Sequence, residues 1–331
     1  MLRSIAIVCV LFVQIEVEAQ TKQWVVYEGG EGSGAGKHIV LVSGDEEYRS
    51  EEALPMLGKI LAVRHGFRCT VLFPINPDDG TIDPNNQTNI PGFERIADAD
   101  LVIMLLRFRE LPDEQMQHFV AHLEAGKPIL GLRTSTHAFQ YRRNPDSRFA
   151  KYGWRSNKWE GGFGQHVLGE TWVSHHGDHG KESARGLVNG LYADHAVLRG
   201  VKDIWGPTDV YGVKHLPADA KVLVWGQVLR GMQPDDTPNY DKSIMPMIWQ
   251  RDYKTESGKT ANILCSTIGS GPDFESEDLR RLVVNFCYWS LGLSDKLPER
   301  AAVDYVDEYE PSNFGFDGAK TGVKPQEHEL P

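Results

Sequence analysis

Residues 37–293 read as a doubly wound α/β fold on a mostly parallel sheet, and three observations carry that reading. Short, continuously apolar strands alternate with helices, the pattern of strands buried on both faces by crossover connections. The helices carry recognisable start and stop residues. The polar, chemistry-bearing residues fall just past strand ends, where open parallel sheets place their ligands.

The first strand is "HIVLVSG" (38–44). "SEEALPMLGKILAVRHG" (50–66) follows as a helix, with Ser50 as cap, early glutamates, Pro55 near the first turn and a terminal glycine. "FRCTVLFPI" (67–75) is the second strand. A Pro-, Asn- and Asp-rich loop (76–92) leads to the third, "ADLVIMLL" (99–106). "PDEQMQHFVAHLEAG" (112–126) is an amphipathic helix between Pro and Gly, and "PILGL" (128–132) is the fourth strand. Residues 140–185 are too polar for core and too aromatic for a disordered linker, so they are expected to form an ordered, aromatic- and His-rich insertion over the sheet edge. Strand-like segments return at 209–213, 221–229, 245–253 and 261–269, and a helix over 276–293 closes the domain.

Outside this domain, residues 1–19 have the charge, apolar run and small-residue end of a cleavable secretory signal peptide, which points to a periplasmic or secreted protein. Residues 20–36 read as a Gly-rich linker. "GSGAGKH" is no phosphate loop, because Glu31 stands at the first glycine position and His38 where Ser or Thr belongs. Residues 294–331 form an acidic, Pro-containing tail expected to lie over the surface. The net charge of −11, without a basic cluster, excludes a nucleic-acid partner, and no membrane span is expected after the leader. Cys69, Cys265 and Cys287 sit in apolar segments as small core residues; one bridge among them stays open.

Three stretches converge on one end of the sheet: "SGDEEYRSEE" (43–52), "RFRE" (107–110) and "RTSTHAF" (133–139). Topology alone brings Asp45, Glu46, Glu47, Arg49, Arg107, Arg109, Arg133 and His137 toward one crevice. Such arginines and acids need either each other or a polar ligand, and a polar ligand is the expectation. In "HHGDHG" (175–180), His175, Asp178 and His179 could fold around a divalent ion such as zinc, or the histidines could act directly on substrate. Ser135 with His137 or His175 lacks the Gly-x-Ser-x-Gly context of a serine nucleophile.

The run "GKPILGL" into a sharp turn resembles the class I glutamine amidotransferase-like fold, a flavodoxin-like architecture whose strand ends Gly-x-Cys-x-Gly. Here Gly131, Arg133 and Ser135 overlay that motif, so Arg133 stands in the nucleophile's place and thiolate chemistry is out. "GDEEYRSEE", "GKPILGLRTSTHAF", "LGETWVSHHGDHG", "HAVLRGVKDIWGPTDVYGV" and "YEPSNFGFDG" together resemble the ThuA-like (trehalose utilisation) family, over roughly residues 37–320. The resemblance implies carbohydrate metabolism, with keto-disaccharides or related glycosides as substrates and metal-liganding histidines in several relatives. It suits Trp154, Trp159 and Trp172, with Glu160, as sugar contacts, although these tryptophans equally suit the insertion's own core.

The expected protein is therefore a sugar-modifying lyase, isomerase or hydrolase with a small-molecule carbohydrate partner and scope for homo-oligomers. Arg49, Arg107, Arg109 and Arg133 would bind polar groups, His137, His175 and His179 would move protons or hold metal, and Glu46 and Glu47 would orient them. The alternatives are a non-catalytic carbohydrate-binding or scaffold protein and a metal-dependent amidase or esterase.

Overall fold

The computed structural model describes residues 22–330, so the leader-like segment 1–19 lies outside the described residues. In chain order the first half comprises β1 (Trp24–Tyr27), β2 (His38–Gly44), α1 (Ser50–His65), β3 (Arg68–Leu72), β4 (Leu101–Leu106), α2 (Asp113–Glu124) and β5 (Ile129–Leu132). The second half adds β6 (Ser174–His175), β7 (Ala184–Val188), β8 (Ile204–Gly206), β9 (Tyr211–Gly212), β10 (Lys221–Val228), β11 (Met245–Lys254), β12 (Thr260–Ser266) and α3 (Glu277–Ser290).

Ten strands form one sheet in the order β1-β3-β2-β4-β5-β12-β11-β10-β7-β8. Its central run β3-β2-β4-β5-β12 is parallel throughout. Counted along the chain this is the 2-1-3-4-5 order of the flavodoxin-like fold, and it reverses direction between β2 and β4. Beyond β12 the sheet continues antiparallel through β11, β10, β7 and β8. Of these pairs, β11 and β12 are joined by a five-residue hairpin loop, too short for a crossover helix.

Successive strand residues face opposite sides, and the core divides accordingly. Ile39 and Leu41 pack under α1 and α3, while Val40 and Val42 pack under α2. The insertion supplies Phe163, Val167 and Leu168 to the α2 side, so it is core as well as cover. The segment read as a linker carries β1 on the sheet edge, and its Gly29 leaves no room for a side chain, since a Cβ there would lie 2.1 Å from the Gly66 carbonyl oxygen. The tail read as surface cover buries Leu297, Ala301 and Val303 in the α1/α3 core. Cys69, Cys265 and Cys287 are all buried free thiols. Among the described residues, no helix is long and apolar enough to cross a membrane.

The insertion touches the turn after β5 at one backbone-on-backbone contact. A Cβ on Gly164 would lie 1.9 Å from the Thr136 carbonyl oxygen and 3.0 Å from that of Glu170. Neither atom can swing aside, so Gly164→Ala is expected to cost about 3 kcal/mol or more, read as a lowered Tm by calorimetry.

Candidate functional site

The reversal between β2 and β4 sets Gly44 beside Leu106, so the loops leaving both strands open on the same crevice. Asp45 shapes the first loop. Its Oδ1 accepts from the amides of Glu47 (2.7 Å) and Tyr48 (2.8 Å), and its Oδ2 accepts from the Thr134 hydroxyl across the crevice. Ser50 does not cap α1 as expected. Its hydroxyl accepts from the amides of Gly44 and Asp45, and Arg49 takes the cap position in a left-handed conformation, φ 60°.

The turn after β5 is an elbow with no nucleophile. Arg133 sits there with φ 38°, a strained value for a residue with a Cβ, and is fully buried. Its guanidinium lies between the rings of Tyr48 (4.2 Å) and Tyr211 (4.4 Å). It donates to the Asp209 carboxylate (3.0 Å), the Asp209 and Thr267 carbonyls and the Tyr48 hydroxyl. Ser135 is spent on the Met104 carbonyl and the Leu106 amide.

Asp209 links this elbow to the histidines. Its Oδ2 accepts from His175 Nδ1 (2.8 Å), and its Oδ1 accepts from His179 Nδ1 (3.0 Å) as well as from Arg133. Burial alone would raise the Asp209 pKa, but Arg133 and the two histidine hydrogen bonds outweigh it and hold the carboxyl well below its usual range. The loop carrying the histidines is pinned by the β6–β9 pairing of His175 with Tyr211 and by the amides of His176 and Gly177, which donate to the Val210 carbonyl. Both imidazoles remain about one-third exposed. The Nε2 of His179 lies 3.6 Å from Glu47 Oε1.

Glu46 and Glu47 complete the floor. Glu46 pairs with Arg107 and with Arg109 (2.6 Å), and Glu47 lies 3.4 Å from Arg107. Burial raises both carboxyls, with the arginines only partly offsetting it. One wall is Phe314, stacked on Tyr48 (5.8 Å) and edge-on to His179 (5.4 Å), with Phe316 against Arg107. Gly315 holds this wall: its amide donates to the Glu47 carbonyl and its carbonyl accepts from Arg49. The opposite wall is Trp172, whose ring lies 5.7 Å from both His175 and His137. Trp172 also lines an open cavity of about 820 Å³ together with Trp154, Glu160, His166 and His215.

Several expected roles change. Asp178 is not the third donor beside the histidines, because its carboxylate turns out to Lys242 (2.6 Å); Asp209 takes that place. Arg109 is fully buried, with its donors spent on Glu46 and the carbonyls of Pro84, Asn86 and Arg107, so it braces a loop instead of meeting substrate. Arg49 and Arg133 are likewise interior clamps. His137 is buried; desolvation, then Arg107, Arg133 and His175, push its pKa well down, so the neutral ring cannot serve as a general acid near pH 7. Trp159 stacks on His166 at 4.4 Å within the insertion, while Glu160 does line the cavity. His175, His179, Glu46, Glu47 and Arg107 do meet in the crevice.

No family model and no curated protein sequence matches the chain. Among solved structures it is similar to a protein described as ThuA-like from Bacteroides uniformis, at 14% identity and a TM-score of 0.47, covering 80% of this chain and 95% of that one. A second such protein, from Parabacteroides merdae, is 11% identical with a TM-score of 0.47, covering 89% and 99%. The glutaminase domain of a Trypanosoma brucei CTPS is 9% identical with a TM-score of 0.37, covering 80% and 98%.

Proposed function

We propose that this chain is an enzyme that moves protons on a polyhydroxylated substrate, a sugar or its keto derivative, with His175 and His179 as the acid–base pair. The observation that carries the reading is the single carboxylate of Asp209 shared between the two Nδ1 atoms. That arrangement fixes both tautomers and leaves each Nε2 as the working nitrogen. Glu47 beside His179 Nε2 is placed to accept or return its proton, and Arg107 is the cation nearest the crevice with any exposure, suited to hydroxyl or carbonyl oxygens. Trp172 and Trp154 give the adjoining cavity aromatic faces for sugar C–H surfaces. A keto group would acidify the neighbouring C–H, so abstraction there followed by elimination or isomerisation is the reaction class that best uses two imidazoles. The leader-like residues 1–19 support a periplasmic or secreted location.

The same three residues also suit a divalent ion. His175, His179 and Asp209 each offer a donor atom, all within 4.8 Å of one another, and two imidazoles with a carboxylate form a set that zinc accepts. A bound zinc would polarise a carbonyl oxygen or activate water. In either case His175→Ala/His179→Ala is expected to lose at least 10³-fold in turnover on 3-keto-disaccharides while binding them within about tenfold of wild type. Elemental analysis of both proteins decides whether an ion accompanies that loss. Equal turnover in the variant would take the histidines out of the chemistry, and binding without turnover in both proteins would leave a binding protein as the reading.

A further inference from the structure

A second cavity, of about 170 Å³, lies between the first turns of α1 and the C-terminal segment around residues 306–328. It shares no residue with the His175/His179 crevice. Pro55, Met56, Ile82 and Val323 give it apolar walls. Its charged lining is five carboxylates, Glu51, Glu52, Asp307, Glu308 and Glu310, against two lysines. Both lysines are already engaged: Lys59 with Asp307 at 2.5 Å and Lys320 near Glu52 at 3.6 Å. Glu52 is further satisfied by the amide and hydroxyl of Ser312.

Glu51 is not satisfied. It is 6% exposed, and neither carboxylate oxygen has a hydrogen-bond partner. Pro55, one turn on, brings no N–H to the Glu51 carbonyl, which adds an acceptor in the same turn. A buried carboxylate without a donor is among the costlier features a fold can carry, and a helix start does not require one. A metal ion does not answer it, because among the described residues the one group of converging His, Cys, Asp or Glu donors is at His175, His179 and Asp209. The cavity instead has one buried acid, an apolar lining and room for roughly a six- or seven-atom skeleton, a dry cavity of similar size being enough for benzene.

We propose that this cavity binds a small organic cation, a primary ammonium seated on the Glu51 carboxylate with its carbon skeleton against Pro55, Met56, Ile82 and Val323. An ammonium brings three donors to a carboxylate whose two oxygens have no hydrogen-bond partner. Burial pushes Glu51 up to about 8, with its own backbone amide and the nearby Arg49 charge only partly offsetting it. The site stands independently of the reading given for the histidines.

Titration calorimetry of the folded chain with cyclohexylammonium chloride tests it, with cyclohexanol and cyclohexanecarboxylate as probes matched in shape. The ammonium is expected to bind saturably and at least tenfold more tightly than either control. Glu51→Gln should weaken it at least tenfold without affecting either control. Val323→Phe, which fills the cavity from the tail and leaves Glu51 intact, should abolish it, so misfolding of one variant does not decide the outcome. Equal binding of cyclohexanol would make this an apolar void, and unchanged ammonium binding in Glu51→Gln would place the ligand elsewhere. No saturable binding would mean that water alone satisfies the carboxylate; each of these results overturns the proposal.

Discussion

Asp209→Asn is expected to lower turnover by about 10³- to 10⁴-fold in protein that still folds and binds substrate, though at lowered Tm because buried Arg133 loses its counter-charge; that is the scale on which such a change acts when a carboxylate sets a histidine tautomer. The direction follows from which partners can only donate. Oδ1 of Asp209 receives Arg133 and His179, whereas Oδ2 receives only His175. A guanidinium has no acceptor, so the asparagine must keep its oxygen toward Arg133 and turn its amide toward His175. His175 Nδ1 then has to accept, and its proton moves to Nε2, the atom on which proton abstraction depends. His179 keeps its tautomer. The prediction is therefore specific to one ring: ¹⁵N NMR of labelled histidine should show His175 switching its protonated nitrogen while His179 does not. A variant with kcat within tenfold of wild type would remove Asp209 from the orienting role, and a loss of kcat with both tautomers unchanged would assign the effect to charge instead.

The fold was legible because its signals are local. Period, caps and the abrupt polar residues after β2, β4 and β5 sit within a few positions of one another, and parallel topology turns them into a common crevice. What escaped has no local signature. Asp209 lies in "GPTDVYG", where nothing nearby says that an elbow arginine from residue 133 will meet it; the available hint is that an acid in an apolar setting must be paired. Asp178 attracted attention through its neighbours in "HHGDHG", but its carboxylate pairs outward with Lys242, a partner 64 positions away that no local pattern announces. The tail looked like surface because it is acidic, yet Phe314 and Phe316, spaced by one glycine in "NFGFDG", form a wall of the crevice. Arg49 and Arg109 show the opposite failure. Proximity to strand ends put them in the right region, but Arg109 faces inward to serve the carbonyls of Arg107, Pro84 and Asn86, and Arg49 to reach that of Gly315.

Arg133→Met should be the most destabilising single change at the site, and its cost is separable from its effect on chemistry. The arginine and Asp209 are both fully buried at the contact, so methionine, similar in reach but apolar, leaves an uncompensated carboxylate. It also strands the Asp209 and Thr267 carbonyls and empties the slot between Tyr48 and Tyr211. Breaking a buried pair from one side costs about 3–5 kcal/mol, which for a chain of this size lowers Tm by about 5–8 °C. If the cost comes from the stranded charge, removing that charge should return part of it. Arg133→Met/Asp209→Asn is then expected to be more stable than Arg133→Met alone, with a coupling of about 1–3 kcal/mol, while remaining inactive. Arg133→Lys keeps the charge but replaces a flat fork with a single point, so it should recover stability in part and still let Asp209 rotate away from the imidazoles. The discriminating readout is kcat measured well below each variant's Tm. A normal kcat in folded Arg133→Met would make the elbow arginine structural cement only, whereas a kcat that falls with the Asp209–histidine geometry makes it the residue that aims the acid–base pair from the elbow after β5.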